Sequence, residues 1–242
     1  MNEITCSIFF HNYYGGHSAW FDFFSRISGF SFNLFYNIVE NSLYNAEKES
    51  IPEDLPFRLF VRRSPNQGKD IGGKLVLLDA YMRLGIQSDY LLFLHDKKSP
   101  YKVQSLEWHK NLFGIAEPGF AKQVLKQFAE DRSTGLITTT EAIKNEYDFS
   151  TGAFISNNND LLQQWQSRLN VYPSDHRYAA GTMFWAREAP LLSFFRNTPP
   201  LEIRKELETG NVLDENNGTH THAWERLLSW LIFAQGYTIK GL

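Results

Sequence analysis

The feature that most constrains the fold is the run Tyr90-Leu91-Leu92-Phe93-Leu94, continuously apolar and bounded by polar residues on both sides. A surface strand alternates apolar and polar residues, so an unbroken run of this length predicts a central strand buried on both faces of its sheet. The rest of the chain then reads as shorter strands alternating with amphipathic helices. Strands are predicted at Ile4–Phe10, Phe32–Val39, Phe57–Val61, Leu136–Thr139 and Tyr178–Trp185. Helices are predicted over Ser18–Ser28, Lys74–Leu84, from Pro118, Asp160–Leu169 and Thr221–Gln235. In Ser18–Ser28 the residues Trp20, Phe23, Phe24 and Ile27 recur with helical spacing, and Gly29 stands past the end. Such alternation implies an α/β layered fold with a mostly parallel central sheet flanked by helices and right-handed crossovers. The chain of 242 residues reads as one domain over residues 1–242, with a half of about 1–115 and a second of about 116–242.

Charge and cysteine content narrow the class. A formal net charge of −3 argues against a nucleic-acid binder, which would carry a basic excess. The single cysteine, Cys6, leaves no internal disulfide framework and no multi-cysteine zinc site. No apolar run approaches the roughly 20 residues of a membrane span, and the first residues lack a basic n-region and apolar h-region. A cytoplasmic protein is expected, at most at the inner face of the plasma membrane through a peripheral contact.

In open α/β sheets ligands bind beyond the carboxyl ends of the strands, so the polar clusters that follow strands are where chemistry is expected. The first is His11 to His17, where Tyr13 or Tyr14 would stack on a flat ligand and Gly15 and Gly16 would let backbone approach it. The second runs from Asn66 to Gly73. It matches neither a P-loop nor a dinucleotide fingerprint, yet Asn66, Gly68 and Asp70 suit a ribose or pyrimidine edge, and Lys69 adds positive charge. The third is His95-Asp96-Lys97-Lys98, after the central strand. One carboxylate is poor chelation for a divalent cation, and Lys97 with Lys98 would neutralise a leaving anion without a metal. Mg²⁺ or Mn²⁺, if one takes part, would enter through Asp96. The fourth joins Gly181-Thr182 and the strand-end pair Trp185 and Arg187, read as a sugar platform with an anion contact, to the start of the last helix. There His222 and Glu225 share a face as a base with its orienter, while His220 with His222 is the alternative of a metal pair. Each cluster also has a plain reading: a tight turn, a glycine-rich cap, a solvated charge run, a core tryptophan.

Their order along the chain resembles the rhamnan synthesis protein F family. The resemblance rests on Asn66-x-Gly68-Lys69-Asp70-Ile71-Gly72, Leu94-His95-x-Lys97-Lys98-Ser99, Ala180-Gly181-Thr182-Met183-Phe184-Trp185-x-Arg187 and Gly218-Thr219-x-x-His222-Ala223-x-Glu225-Arg226. It implies a GT-A-like glycosyltransferase fold, with the donor nucleotide in the first half and the acceptor in the second. It also implies transfer of rhamnose or another deoxyhexose from a dTDP-, UDP- or GDP-linked donor to a cell-surface polysaccharide or lipid-linked acceptor. Three positions depart from the family pattern: Lys69 stands where an arginine is usual, Asp96 interrupts a His-Thr-Lys-Lys-Ser string, and Asn217 replaces an aspartate. The expected donor contacts are Tyr13, Gly15, Asn66, Gly68, Lys69, Asp70, His95, Lys97 and Lys98. The acceptor contacts are Gly181, Thr182, Trp185 and Arg187, and the catalytic groups are His222, Glu225 and Asp96. The rival expectation is a non-catalytic nucleotide- or sugar-binding module that supports a partner transferase.

Overall fold

The computed structural model describes residues 4–45, 51–96, 113–214 and 218–242. Strands β1 (Thr5–Asn12), β2 (Ser31–Val39), β3 (Arg58–Ser64), β4 (Tyr90–His95), β5 (Thr134–Thr138), β10 (Phe184–Arg187) and β11 (Thr238–Gly241) form one sheet in the order β11-β5-β10-β4-β1-β2-β3. β10 pairs antiparallel with both β4 and β5, and the other pairings in this sheet are parallel. The expected mostly parallel α/β sheet is therefore present.

Burial on both faces explains the apolar runs. Along β4, Leu91 and Phe93 join the core on one face, while Leu92 and Leu94 join the core on the other. β1 divides in the same way, with Phe9 on the first face and Ile8 and Phe10 on the second. Each of these side chains is fully buried, and each contributes roughly 1.5–3 kcal/mol through burial. The first face is covered by α2 (Lys69–Arg83), through Leu75, Leu78 and Tyr81, and by a long carboxyl-terminal helix, His220–Phe233, through Trp224, Leu227 and Leu228. The second face is covered by α1 (His17–Ser25) and α3 (Pro118–Glu130).

The predicted strand Tyr178–Trp185 is two strands. Short β9 (Arg177–Ala179) pairs with β6 (Ile143–Asn145) in a separate two-stranded sheet, and β10 starts only at Phe184. The turn between them places Gly181 at φ 80° and Thr182 at φ 53°. A left-handed conformation is costly for a β-branched residue, and an apolar pattern alone does not announce it. A further pair of strands, β7 (Tyr147–Asp148) and β8 (Ala153–Phe154), stands beside α4 (Asn159–Leu169). Two short helices, α5 (Glu188–Phe195) and α6 (Pro200–Arg204), lead to the carboxyl-terminal helix, hereafter α7. No helix among the described residues is long and apolar enough to cross a membrane.

Candidate functional site

β1 and β4 are neighbours, but the chain leaves β1 toward β2, on its other side. That reversal is the switch point at which open α/β sheets bind ligands. A cleft of about 650 Å³ opens there. His11 and His95, opposite each other in the β1–β4 register, form its floor. The loop after β3 supplies Asn66, the first turn of α2 supplies Lys69 and Asp70, the turn before β10 supplies Gly181 and Thr182, and α7 supplies His222 and Glu225.

The start of α2 is shaped by its glycines. Gly68 caps the helix in the left-handed region, at φ 72°, with no side chain bonded to the first turn. A Cβ on Gly73 would lie 1.7 Å from His11 Nδ1, so only glycine lets α2 close on β1. The first-turn N–H groups of such a helix lack intrahelical acceptors and attract anions. Lys69 stands among them. Burial lowers its basicity, against the carboxylates of Asp70, Glu225, Asp214 and Glu208.

One turn further on, Lys74 is wholly buried. Its ammonium donates to Asp70 Oδ2 at 3.0 Å and to Thr182 carbonyl and hydroxyl oxygens at 2.8 and 2.5 Å, and lies 3.2 Å from His95 Nδ1. The Thr182 hydroxyl donates in turn to Asp70 Oδ2 at 2.5 Å. Burial would raise the Asp70 pKa, but His95, Lys74 and the Thr182 hydroxyl together hold it well below the usual carboxylate value. Asp70 is thus an ionised, anchored group beside Lys69. His11 is 3% exposed, and burial pushes its pKa down to about 4, so it is neutral.

At the other end of the cleft, Asp96 holds the loop after β1. Its oxygens accept from the Tyr13 amide at 2.7 and 2.9 Å and from the Tyr14 amide at 2.5 Å. Both carboxylate oxygens are thus committed to the loop backbone. Among the described residues, no group of three or more His, Cys, Asp or Glu side chains is placed to hold a metal ion. Tyr13 and Tyr14 pack edge to face at 4.9 Å, and Tyr44, which the sequence reading did not single out, joins them. Asn66 donates from Nδ2 to Asn211 at 3.0 Å, while its buried Oδ1 has no partner among the described residues.

Two helix N-termini reach this cleft, and they differ. In α7 the amides of His220 and Thr221 already donate to the Glu208 carboxylate at 2.6 and 3.0 Å, and that of His222 to the Thr219 cap at 3.1 Å. The first-turn amides of α7 are thus already engaged, whereas α2 has no side-chain cap. His222 Nδ1 lies 2.6 Å from Thr219 Oγ1. Burial and then the charge of Lys69 lower its pKa, against Asp214 and Glu225, so the ring is neutral near pH 7.

Several expected contacts lie elsewhere. Trp185 is fully buried in the core, its Nε1 donating to the Ile115 carbonyl at 2.8 Å, and offers no platform to a sugar. Arg187 caps the Thr134, Phe128 and Asp131 carbonyls at 2.8, 2.6 and 3.1 Å. The two misplacements have different causes: Trp185 faces the core on one side of the sheet, and the position of Arg187 follows from strand direction. β10 is antiparallel, so its beginning faces the cleft and its end, Arg187, points away. Gly15 is buried in a reciprocal turn with Asn12, at 2.8 and 3.2 Å, and Gly68 packs under Leu207; neither lines the cleft. Glu225 does not orient His222 through a hydrogen bond. Its oxygens accept from the Gly181 amide and from Arg226, each at 2.6 Å, so that it fixes the Thr182 turn instead. His220 accepts from Trp165 Nε1 at 3.0 Å, away from any pairing with His222. Lys97, Lys98 and Asn217 lie outside the described residues. His11 stood at the head of the first cluster without an assigned role, and Lys74 and Asn211 were missed. A histidine closing an apolar strand and a lysine inside a helix carry no local signal of their partners.

No curated protein sequence matches the chain significantly. The profile of rhamnan synthesis protein F matches residues 2–237, nearly the whole length, and spans every element that builds the cleft. On that match the chain belongs to the rhamnan synthesis protein F family, and with it to the synthesis of rhamnan-type polysaccharide.

Proposed function

We propose that this protein is a GT-A-like glycosyltransferase that moves rhamnose or another deoxyhexose from a nucleoside-diphosphate donor to a bacterial cell-surface polysaccharide or lipid-linked acceptor. It would act in the cytoplasm, at the inner face of the plasma membrane. The observation that carries this reading is that Lys69, at the uncapped start of α2, and a neutral His222 face one cleft at the switch point of the sheet.

The base stacks against Tyr13 and Tyr14, and an N–H of its edge donates to Oδ1 of Asn66, which has no partner among the described residues. The diphosphate lies on the first turn of α2 and on Lys69, with Lys97 and Lys98, which follow β4 in the chain, adding positive charge. His222 Nε2 takes the proton of the acceptor hydroxyl as its oxygen attacks the anomeric carbon. The bond from that carbon to the diphosphate breaks, and the electron pair leaves on the diphosphate, where the lysines meet it. One base and no covalent intermediate give inversion. The lysines take the part of a metal, so Mg²⁺ or Mn²⁺ would stimulate only modestly and turnover would survive excess EDTA.

The engagement of Asp96 in loop backbone favours a second reading, a non-catalytic binding module. The first test is thermal unfolding with UDP, dTDP, GDP, CDP and ADP. A ligand at 100 times its Kd adds about 2.7 kcal/mol to stability. A base-selective rise in Tm supports the donor site; no rise with any nucleotide removes the donor site and leaves, of the second reading, only a sugar-binding module.

A further inference from the structure

The environment of His222 holds a carboxylate with no assigned work. Asn158, fully buried, donates from Nδ2 to Asp214 Oδ2 at 2.9 Å and accepts the Thr219 amide on Oδ1 at 2.8 Å. Gly218, at φ 68°, makes room for this arrangement: a Cβ there would lie 2.5 Å from Asn158 Oδ1. One buried side chain thus fixes both groups that flank the imidazole. Thr219 Oγ1 lies 2.6 Å from His222 Nδ1, and Asp214 Oδ1 lies 3.9 Å from the same atom. That oxygen is buried and has no hydrogen-bond partner among the described residues.

We infer that Asp214 is a positioning residue for His222, holding the ring proton on Nδ1 so that the Nε2 lone pair is available to the acceptor hydroxyl. An Nδ1 lone pair facing a carboxylate is repelled, whereas an Nδ1–H dipole facing it is stabilised. The Thr219 oxygen receives that proton, and the carboxylate of Asp214 sets its side. The other charges acting on the ring do not supply this. Glu225 is spent on Arg226 and the Gly181 amide, Arg226 is paired with Glu225 and Glu146, and Lys69 repels a proton from the ring altogether. This inference rests on the reading of His222 as the base.

The test is nitrogen-15 NMR of the imidazoles in the full-length, ligand-free protein, with His222→Asn to assign the resonance. It needs no donor or acceptor. The wild type is expected to show neutral His222 as the Nδ1–H tautomer, and Asp214→Asn to move it toward Nε2–H and lower its pKa. A wild-type Nε2–H tautomer, or a tautomer and pKa unchanged in Asp214→Asn, would overturn the inference. The wild-type measurement stands even where the variant does not fold. In transfer assays with dTDP- and UDP-linked hexoses, Asp214→Asn should lower kcat by ~10–10⁴-fold, leave donor KM unchanged, and move the acid limb of the pH profile downward. The expected tautomer without any turnover would defeat the proposed function and leave this geometry standing.

Discussion

The buried ammonium of Lys74 is bound twice by Thr182, through the carbonyl oxygen at 2.8 Å and the hydroxyl at 2.5 Å. This contact joins α2 to the left-handed turn before β10, and so fixes the two sides of the cleft relative to each other. It also neutralises Asp70, 3.0 Å away. Removing one member of a buried ion pair leaves the other uncompensated, at a cost of about 3–5 kcal/mol. Lys74→Met should therefore lose that much stability in urea denaturation, with Lys74→Arg restoring little because a guanidinium does not fit the site. A loss below about 1 kcal/mol would show that Asp70 finds other compensation.

Two glycines of α2 and α3 should respond in opposite ways to the same change. Gly73→Ala drives a methyl against His11, and overpacking of this kind costs about 1–3 kcal/mol or more. Gly119 meets nothing within 4 Å, and its φ lies outside the left-handed region. Gly119→Ala should stabilise by about 0.4–1 kcal/mol, through the unfolded chain. Equal effects of the two substitutions in thermal unfolding would contradict the packing of α2 on β1.

Stability should fall on mild acidification, with a known sign. Burial holds the folded-state pKa of His11 at about 4, below its ordinary 6.5, so the unfolded chain binds this proton first. Stability is lost as pH drops from about 6.5 to 4, by about 3 kcal/mol for this group. His176 and His222, both lowered by burial, add to the same slope. Asp70 acts only lower, below the usual carboxylate range. His11→Gln should flatten the slope between pH 6.5 and 4; an unchanged slope would place the titration elsewhere.

What could be read in advance follows from how local each signal is. The strand run at Tyr90–Leu94 was legible because burial on both faces leaves no polar residue inside it, and Ile4–Phe10 because Ile8, Phe9 and Phe10 close it, although Ser7, buried against Ser88, interrupts the apolar pattern. The clusters after β1, β3 and β4 were legible because switch-point loops must be polar. The direction of β10 was not, since Phe184-Trp185-Ala186-Arg187 reads alike in either orientation; Arg187 was misassigned for that reason, and Trp185 because the face it presents to the core is not marked in the sequence. Lys74 resembles any helical lysine until Thr182, 108 residues away, is seen to fold back on it. Glu225 sat one helical turn from His222, and that spacing masked its real partners, the Gly181 amide and Arg226.

The two histidines of α7 separate the base reading from a metal pair. His222→Asn should lower the transfer rate by ~10²–10⁴-fold with nucleotide affinity unchanged. His220→Ala should leave transfer near wild type and lose about 1 kcal/mol of stability with the Trp165 hydrogen bond. Equal losses of rate in both variants would return the metal pair to consideration.

Turnover at the cleft is what separates a transferase from a binding module. The direct measurement is release of nucleoside diphosphate from dTDP-, UDP- and GDP-linked hexoses, with and without glycan acceptor, in the wild type and in Lys69→Ala. The expected result is slow release from one donor, accelerated by acceptor, and reduced ~10²–10³-fold when the lysine at the leaving diphosphate is removed. Binding without release from any donor, or release indifferent to Lys69, would contradict it.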